Sequence, residues 1–237
     1  MRKLALFTLF SFMLTGMIVI TGCGEDEPTD PNEPGKAKVL FLHGAEGATG
    51  TVDFVIGSTV VSTNRDVGAT TSYFDVEEGS TNYIVRTNGT ANALIDTAIR
   101  VEGDQNYTLV ALNETGGPVE LRLFRDDLTT QAGKAMVRVI YLINDGPQVK
   151  VAFRGEGIQL YTKKSPLSFG NSEAFNAYEP GAHTLRVMDK DVQGPNDMQG
   201  ETTKIIEEDI NLIAGKVYTF AVVGTMANPS LVTIEHN

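Results

Sequence analysis

Apolar and polar positions alternate with a period of two through most of the chain between residues 36 and 237. Ala37, Val39 and Phe41 alternate with Lys38, Leu40 and Leu42, and Val137, Val139 and Tyr141 alternate with Arg138 and Ile140. Tyr107, Leu109 and Ala111 keep the same rhythm, as do Tyr218, Phe220 and Val222. A period of two places every second side chain on one face of a strand. Val, Thr, Tyr, Phe and Ile dominate these runs, and these residues fit a half-buried pleated surface. Helix-period segments are nearly absent. Asn88-Gly89 lies between IVRT and the run ending in IDTAIRV, which is a two-residue hairpin signal.

The runs occur twice and in the same order. GKAKVLFLH at Gly35–His43 returns as GKAMVRVIY at Gly133–Tyr141, and VDFVIG at Val52–Gly57 as VKVAFRG at Val149–Gly155. EEGSTNYIVR (Glu77–Arg86) is answered by YEPGAHTLRV (Tyr178–Val187), GDQNYTLVAL by AGKVYTFAVV, and PVELRLF by PSLVTIE. Kept order and spacing indicate an internal duplication. About seven short strands per half, with turn residues every 8–12 positions, predict an all-β chain of two tandem immunoglobulin-like antiparallel β-sandwiches. One larger mixed sandwich is the alternative. The expected boundaries are 36–125 for the first repeat, 126–133 for a polar linker and 134–237 for the second repeat.

The N-terminus has a different pattern. Arg2 and Lys3 precede an apolar run, Leu4–Ile20, which ends in Ile20-Thr21-Gly22-Cys23. This resembles a bacterial lipobox, so residues 1–22 are expected to be a lipoprotein signal peptide and Cys23 the lipidated residue. An uncleaved anchor and a plain secretory signal are the competing readings. Cys23 is the only cysteine, and a lone free thiol in an oxidising compartment would be a liability. Residues 23–35 then form an acidic, proline-rich tether with no aliphatic residue, a composition that cannot bury enough apolar surface to fold. The chain is expected on the bacterial outer membrane, facing either the periplasm or the cell surface, with the membrane as a partner through its lipid.

Lys and Arg total 19 against 30 Asp and Glu, a net charge of −11. No basic footprint for nucleic acid is visible, so no nucleic-acid partner is expected. Tryptophan is absent and Phe and Tyr are sparse, which weakens a carbohydrate-platform reading.

The strand KVLFLH, the loop after it and TVDFVIG, together with MVRVIYLINDGPQVKVAF in the second half, resemble the family called domain of unknown function 4397. Pro180-Gly181-Ala182-His183-Thr184-Leu185 and Ala214-Gly215-Lys216-Val217-Tyr218-Thr219 are similar to its later turns and strands. The first loop, Gly44–Gly50, departs from the family's Ser-Pro-Asp-Ala-Pro run. The resemblance implies a secreted or surface β-domain and carries over no functional residue.

Candidate chemistry is sparse. GAEGATG at Gly44–Gly50 is rich in glycine, but a strand follows it where a phosphate loop needs a helix, so it reads as an inter-strand loop. In Asp189–Glu201 the order Asp189, Asp191, Gln193, Gly194, Asp197 partly matches a calcium loop. Asp189, Asp191, Gln193 and Asp197 are therefore the candidate calcium ligands, against a solvated hairpin tip. Gln193 is a weak ligand and Glu201 falls one place late. His43, His183 and His236 lack a second ligand at metal spacing, and His43 reads as a core or rim residue. Glu77-Glu78 and Asp126-Asp127 read as solvated charge. No cofactor beyond possible calcium and no catalytic residue is expected. The chain reads as a non-catalytic envelope protein serving adhesion, scaffolding or interaction. The alternative is a module binding a glycan or calcium through the Asp189–Glu201 loop or an inter-domain cleft. A hydrolase with a dispersed site ranks last.

Overall fold

The computed structural model describes residues 35–48, 50–155, 162–163, 166–191 and 204–237. The expected signal peptide, Cys23, the tether to residue 34, and Gln193 and Asp197 lie outside the described residues.

The first half supplies β1 (Lys36–His43), β2 (Val52–Ile56), β3 (Thr59–Arg65), β4 (Phe74–Glu77), β5 (Gly79–Thr87), β6 (Ala93–Val101), β7 (Asn106–Leu112) and β8 (Glu120–Asp126). They form two sheets, ordered β4-β1-β7-β8 and β3-β2-β5-β6. The second half supplies β9 (Ala135–Tyr141), β10 (Val149–Gly155), β11 (Thr162–Lys163), β12 (Asn171–Ser172), β13 (Asn176–Tyr178), β14 (Gly181–Asp189), β15 (Lys204–Leu212), β16 (Val217–Gly224) and β17 (Pro229–Glu235). Its sheets are β12-β9-β16-β17, with β13 also on β9, and β11-β10-β14-β15. Among the described residues there is no helix. The chain is all-β, two β-sandwiches in tandem. Among the described residues, pairing is antiparallel except at one place in each half, where the first strand runs parallel to the seventh (β1 with β7) or its counterpart (β9 with β16).

Registers fix how the halves correspond. Ala37 lies opposite Val76, and Ala135 opposite Tyr178. Gly79 and Gly181 open β5 and β14 at φ of +116° and +115°, a backbone region that only glycine enters freely. Val76 therefore corresponds to Tyr178, and Tyr83 to Leu185. This moves the alignment of EEGSTNYIVR with YEPGAHTLRV by one residue and brings the buried pairs Tyr83 and Val85 onto Leu185 and Val187. The Asn88-Gly89 hairpin forms, but its loop extends to Asn92. Asp53 explains the anchorage: its carboxylate accepts hydrogen bonds from Asn88 Nδ2 (2.6 Å) and the Gly89 amide (3.2 Å).

Among the described residues, three apolar cores hold the molecule. One lies between the sheets of the first half and includes Phe41, Phe54, Tyr83 and Leu109. Another lies within the second half and includes Val139, Phe153, Leu185 and Phe220. The third joins Leu40, Leu42, Val110 and Leu112 of the first half to Ile140, Leu142, Ala221, Val223 and Ile234 of the second. The sheets of β1 and β9 are thus covered on both faces, giving four stacked layers, and residues 34–237 form one compact unit. Leu40 and Leu42, on the face opposite Phe41, are as buried as Phe41 itself. Each such side chain contributes about 1.5–3 kcal/mol when removed from water, so the third core holds the halves together strongly.

Candidate functional site

The densest polar chemistry sits at the margin of the third core. Arg138 on β9 forms an ion pair with Asp126 at the end of β8, with side-chain exposures of 2% and 0%. Asp126 is therefore buried, which corrects its reading as solvated charge; it sits where the two halves close on each other. Arg138 Nη2 also donates to Thr108 Oγ1 (3.0 Å), Nη1 to the Arg125 carbonyl (3.0 Å) and Nε to Thr219 Oγ1 (2.8 Å). Thr219 Oγ1 lies 2.7 Å from His236 Nε2, and His236 Nδ1 lies 2.6 Å from the Tyr73 hydroxyl. Tyr73 donates to Asp126, and Thr108 donates to the same carboxylate. The rings of Phe175 and Phe124 flank the guanidinium at 4.7 and 5.9 Å.

Every bond in this circuit is satisfied if His236 is neutral and carries its proton on Nδ1. Thr219 then donates to Nε2, Nδ1–H donates to Tyr73, and Tyr73 donates to Asp126. Burial holds the His236 pKa down at about 4, partly opposed by the Asp126 carboxylate and assisted by Arg138. Burial, then the neighbouring Asp126 charge, pushes the Tyr73 hydroxyl well above the ordinary tyrosine range. Burial also lowers Arg138, and Asp126 opposes that shift.

Equivalent positions of the two halves meet here. Thr108 corresponds to Thr219, Asp126 to His236, Tyr73 to Phe175 and Leu40 to Arg138, as the strand registers require. The duplicated faces pack on each other in a pseudo-twofold manner. One charged residue from each half, Asp126 and Arg138, replaces a histidine and a leucine at the matching place. In the sequence His236 and Tyr73 gave no signal, because their roles arise only from the contact between halves.

The other sequence candidates are scattered. His43 is fully buried at the end of β1, its pKa held down at about 4 by burial against a smaller opposing effect of Asp66. It is the core residue the sequence indicated. Burial pushes Tyr141, at the matching place in the second half, up to about 12, and Asp145 and Asp189 add to the shift. His183 Nε2 lies 2.8 Å from the Glu179 carbonyl oxygen. Asp189 Oδ1 accepts the Asp191 amide at 2.9 Å, and Asp191 pairs with Lys190 at 2.7 Å. Among the described residues no group of three or more His, Cys, Asp or Glu side chains converges as a metal site. A strand, β2, and not a helix follows Gly44–Gly50, as its context predicted.

One lateral groove of about 530 Å³ opens on the first sandwich between the edges of β3 and β4. Ile56, Val61, Phe74 and Val76 line it together with Asp75, Glu77 and Glu78; Asp75 pairs with Lys38 at 3.0 Å and Glu78 accepts from the Gly103 amide at 3.3 Å. A second, more polar concavity of about 790 Å³ runs along Gln105, Asn106 and the Arg125–Thr129 segment.

The family model described as Domain of unknown function (DUF4397) matches residues 37–152, which covers the first sandwich, β9 and most of β10. No curated protein matches the chain. Among solved structures, the family CBM26 module CBMbc of Eubacterium rectale Amy13K, solved with maltoheptaose, aligns at 12% identity. That alignment covers 83% of this chain and 95% of that one, with a TM-score of 0.28. A candidate cell adhesion protein from Bacteroides uniformis ATCC 8492 aligns at 8% identity, over 85% and 98% of the two chains, with a TM-score of 0.26.

Proposed function

We propose that this chain, matched by the DUF4397 model over residues 37–152, is a non-catalytic interaction protein of the bacterial envelope. Lipid on Cys23 holds it to the outer membrane, and the acidic tether carries a rigid four-layer β-block to a partner protein or glycan. One observation carries the non-catalytic reading. The residues best equipped for acid–base chemistry, Asp126, His236, Tyr73 and Arg138, are closed into a satisfied circuit at the junction of the halves. A catalytic acid or base must come within hydrogen-bond reach of substrate, and these groups are spent on holding two sandwiches together. The lipid reading is supported by the ITGC sequence after the apolar run and by the single cysteine. Two or more acyl chains anchor a protein stably, because each buried methylene contributes about 0.8 kcal/mol.

Mass spectrometry of the native protein tests the anchor: the expected product begins at Cys23 and carries fatty acyl groups. Crosslinking on intact envelopes tests the interaction role, and recovery of no protein and no glycan would overturn it.

A further inference from the structure

Asn88-Gly89 is the only Asn-Gly pair in the chain. It is also a pair prone to attack on itself. The backbone nitrogen after an asparagine can displace ammonia from the side-chain amide, and glycine, with no Cβ, leaves that approach open. Here one carboxylate holds both reacting groups. Asp53 on β2, with a side chain only 3% exposed, accepts a hydrogen bond from Asn88 Nδ2 on Oδ1 at 2.6 Å and from the Gly89 amide on Oδ2 at 3.2 Å. The Asn64 amide also donates to Oδ1 at 3.1 Å, and Arg86 Nε stands 3.5 Å from Oδ2. Burial raises the Asp53 pKa, but the bonds from Asn88, Asn64 and Gly89 and the charge of Arg86 outweigh it and hold the carboxylate below its ordinary value. Asp53 is therefore ionised and a weak base. The turn is closed by the Thr90 amide on the Thr87 carbonyl at 3.1 Å, and the Asn88 amide donates to the Thr51 carbonyl at 2.9 Å.

Deamidation has to break this grip. The Gly89 nitrogen loses its proton and bonds to Asn88 Cγ, the Cγ–Nδ2 bond breaks, and the proton leaves with the departing ammonia. The five-membered imide that remains has no Gly89 N–H and no Nδ2, so both bonds to Asp53 are gone. Asp53 thus binds the starting state and loses its hold along the way to the product, which slows the step. Water then opens the ring to aspartate or isoaspartate at position 88. Either product sets a second carboxylate against the buried Asp53, where two such groups cannot both ionise cheaply.

We propose that Asn88 is a site of self-modification gated by Asp53: the loop stays anchored while the amide is intact and is released once the amide has become an acid. The bond to Thr51, just before β2, places this loop at the end of the first sandwich away from Lys36, where β1 begins. The change is irreversible, so it converts one form of that end into another. It depends neither on the lipid nor on any partner.

The test incubates the full-length protein in detergent in mildly alkaline buffer, folded or unfolded in urea, and follows Asn88 by peptide mapping. Folded protein is expected to convert about tenfold more slowly than unfolded, a barrier difference of about 1.4 kcal/mol. Asp53→Asn, which replaces one acceptor oxygen with a donor, is expected to speed conversion several-fold, while Asn171-Ser172 in the other half keeps its rate. An equal rise at both sites would mean general loosening and would overturn the gate. Asn88→Asp makes the product directly and carries the test if Asp53→Asn melts early. Limited proteolysis is expected to cut that variant within Asn88–Asn92 and to leave the native loop whole. Conversion as fast in the folded protein as in urea, no acceleration in Asp53→Asn, or an Asn88→Asp loop as resistant as the native one would each overturn the assignment.

Discussion

Arg138 of the second sandwich and Asp126 at the end of the first form an ion pair that solvent does not reach. Removing one partner of a buried pair leaves a bare charge in a low-dielectric interior, at a cost of about 3–5 kcal/mol. Arg138→Leu, which restores the residue type of the matching Leu40, is expected to destabilise by that amount in urea denaturation. Arg138→Leu combined with Asp126→Asn, which removes the stranded charge, is expected to recover a substantial part of the loss. A double variant no more stable than the single one would argue against this account.

The third core makes the sandwiches thermodynamically dependent on each other. Calorimetry is expected to show one cooperative transition for residues 34–237, not one for each half. Ala221→Asp puts an unpaired carboxylate among Leu42, Val110 and Ile234, where burial without a partner is costly. That variant is expected to unfold in two steps, with the halves parting first.

Acid should destabilise the protein through two histidines. His43 and His236 both have a pKa held at about 4 by burial, against about 6.5 in an unfolded chain. Between those values the unfolded state binds more protons than the folded state, so stability rises with pH across the window. The contribution is fully present above about 6.5, is lost as pH falls toward 4, and levels off below that. Each histidine accounts for on the order of 3 kcal/mol. Urea midpoints at pH 7 and pH 4.5 should therefore differ strongly in the native sequence and about half as much in His43→Leu.

Anchoring depends on one sulfur. Cys23→Ser is expected to abolish incorporation of labelled fatty acid and to release the protein from the membrane fraction. A Cys23→Ser protein that stays with the membrane would point to an uncleaved apolar leader as the anchor.

The duplication and the strands were legible because apolar alternation is local. Burial on the second face was not read, although the signal was there. VLFL in β1 and VYTFAVVG in β16 are nearly continuous apolar runs, which mark strands covered on both sides. Reading Leu40 and Leu42 merely as the alternate positions to Val39 and Phe41 hid the layer between the halves. The acid pair Asp126-Asp127 shows the opposite limit. Its two members look alike in sequence, yet Asp126 is sealed against Arg138 while Asp127 remains exposed beside Thr129. That distinction comes from where β8 ends: Asp126 is its last residue, turned toward the other half, and Asp127 lies beyond it.

The matched faces of β1, β7, β9 and β16 also bear on descent. A single sandwich of this kind would expose a broad greasy sheet and would stay soluble only by clasping a twin. Here one gene encodes both twins, and once they were joined, the two copies of each contact were free to diverge. One copy acquired an acid and the other a guanidinium, where their counterparts keep a histidine and a leucine, so the lock is made once instead of twice as a symmetric pair of identical subunits would make it.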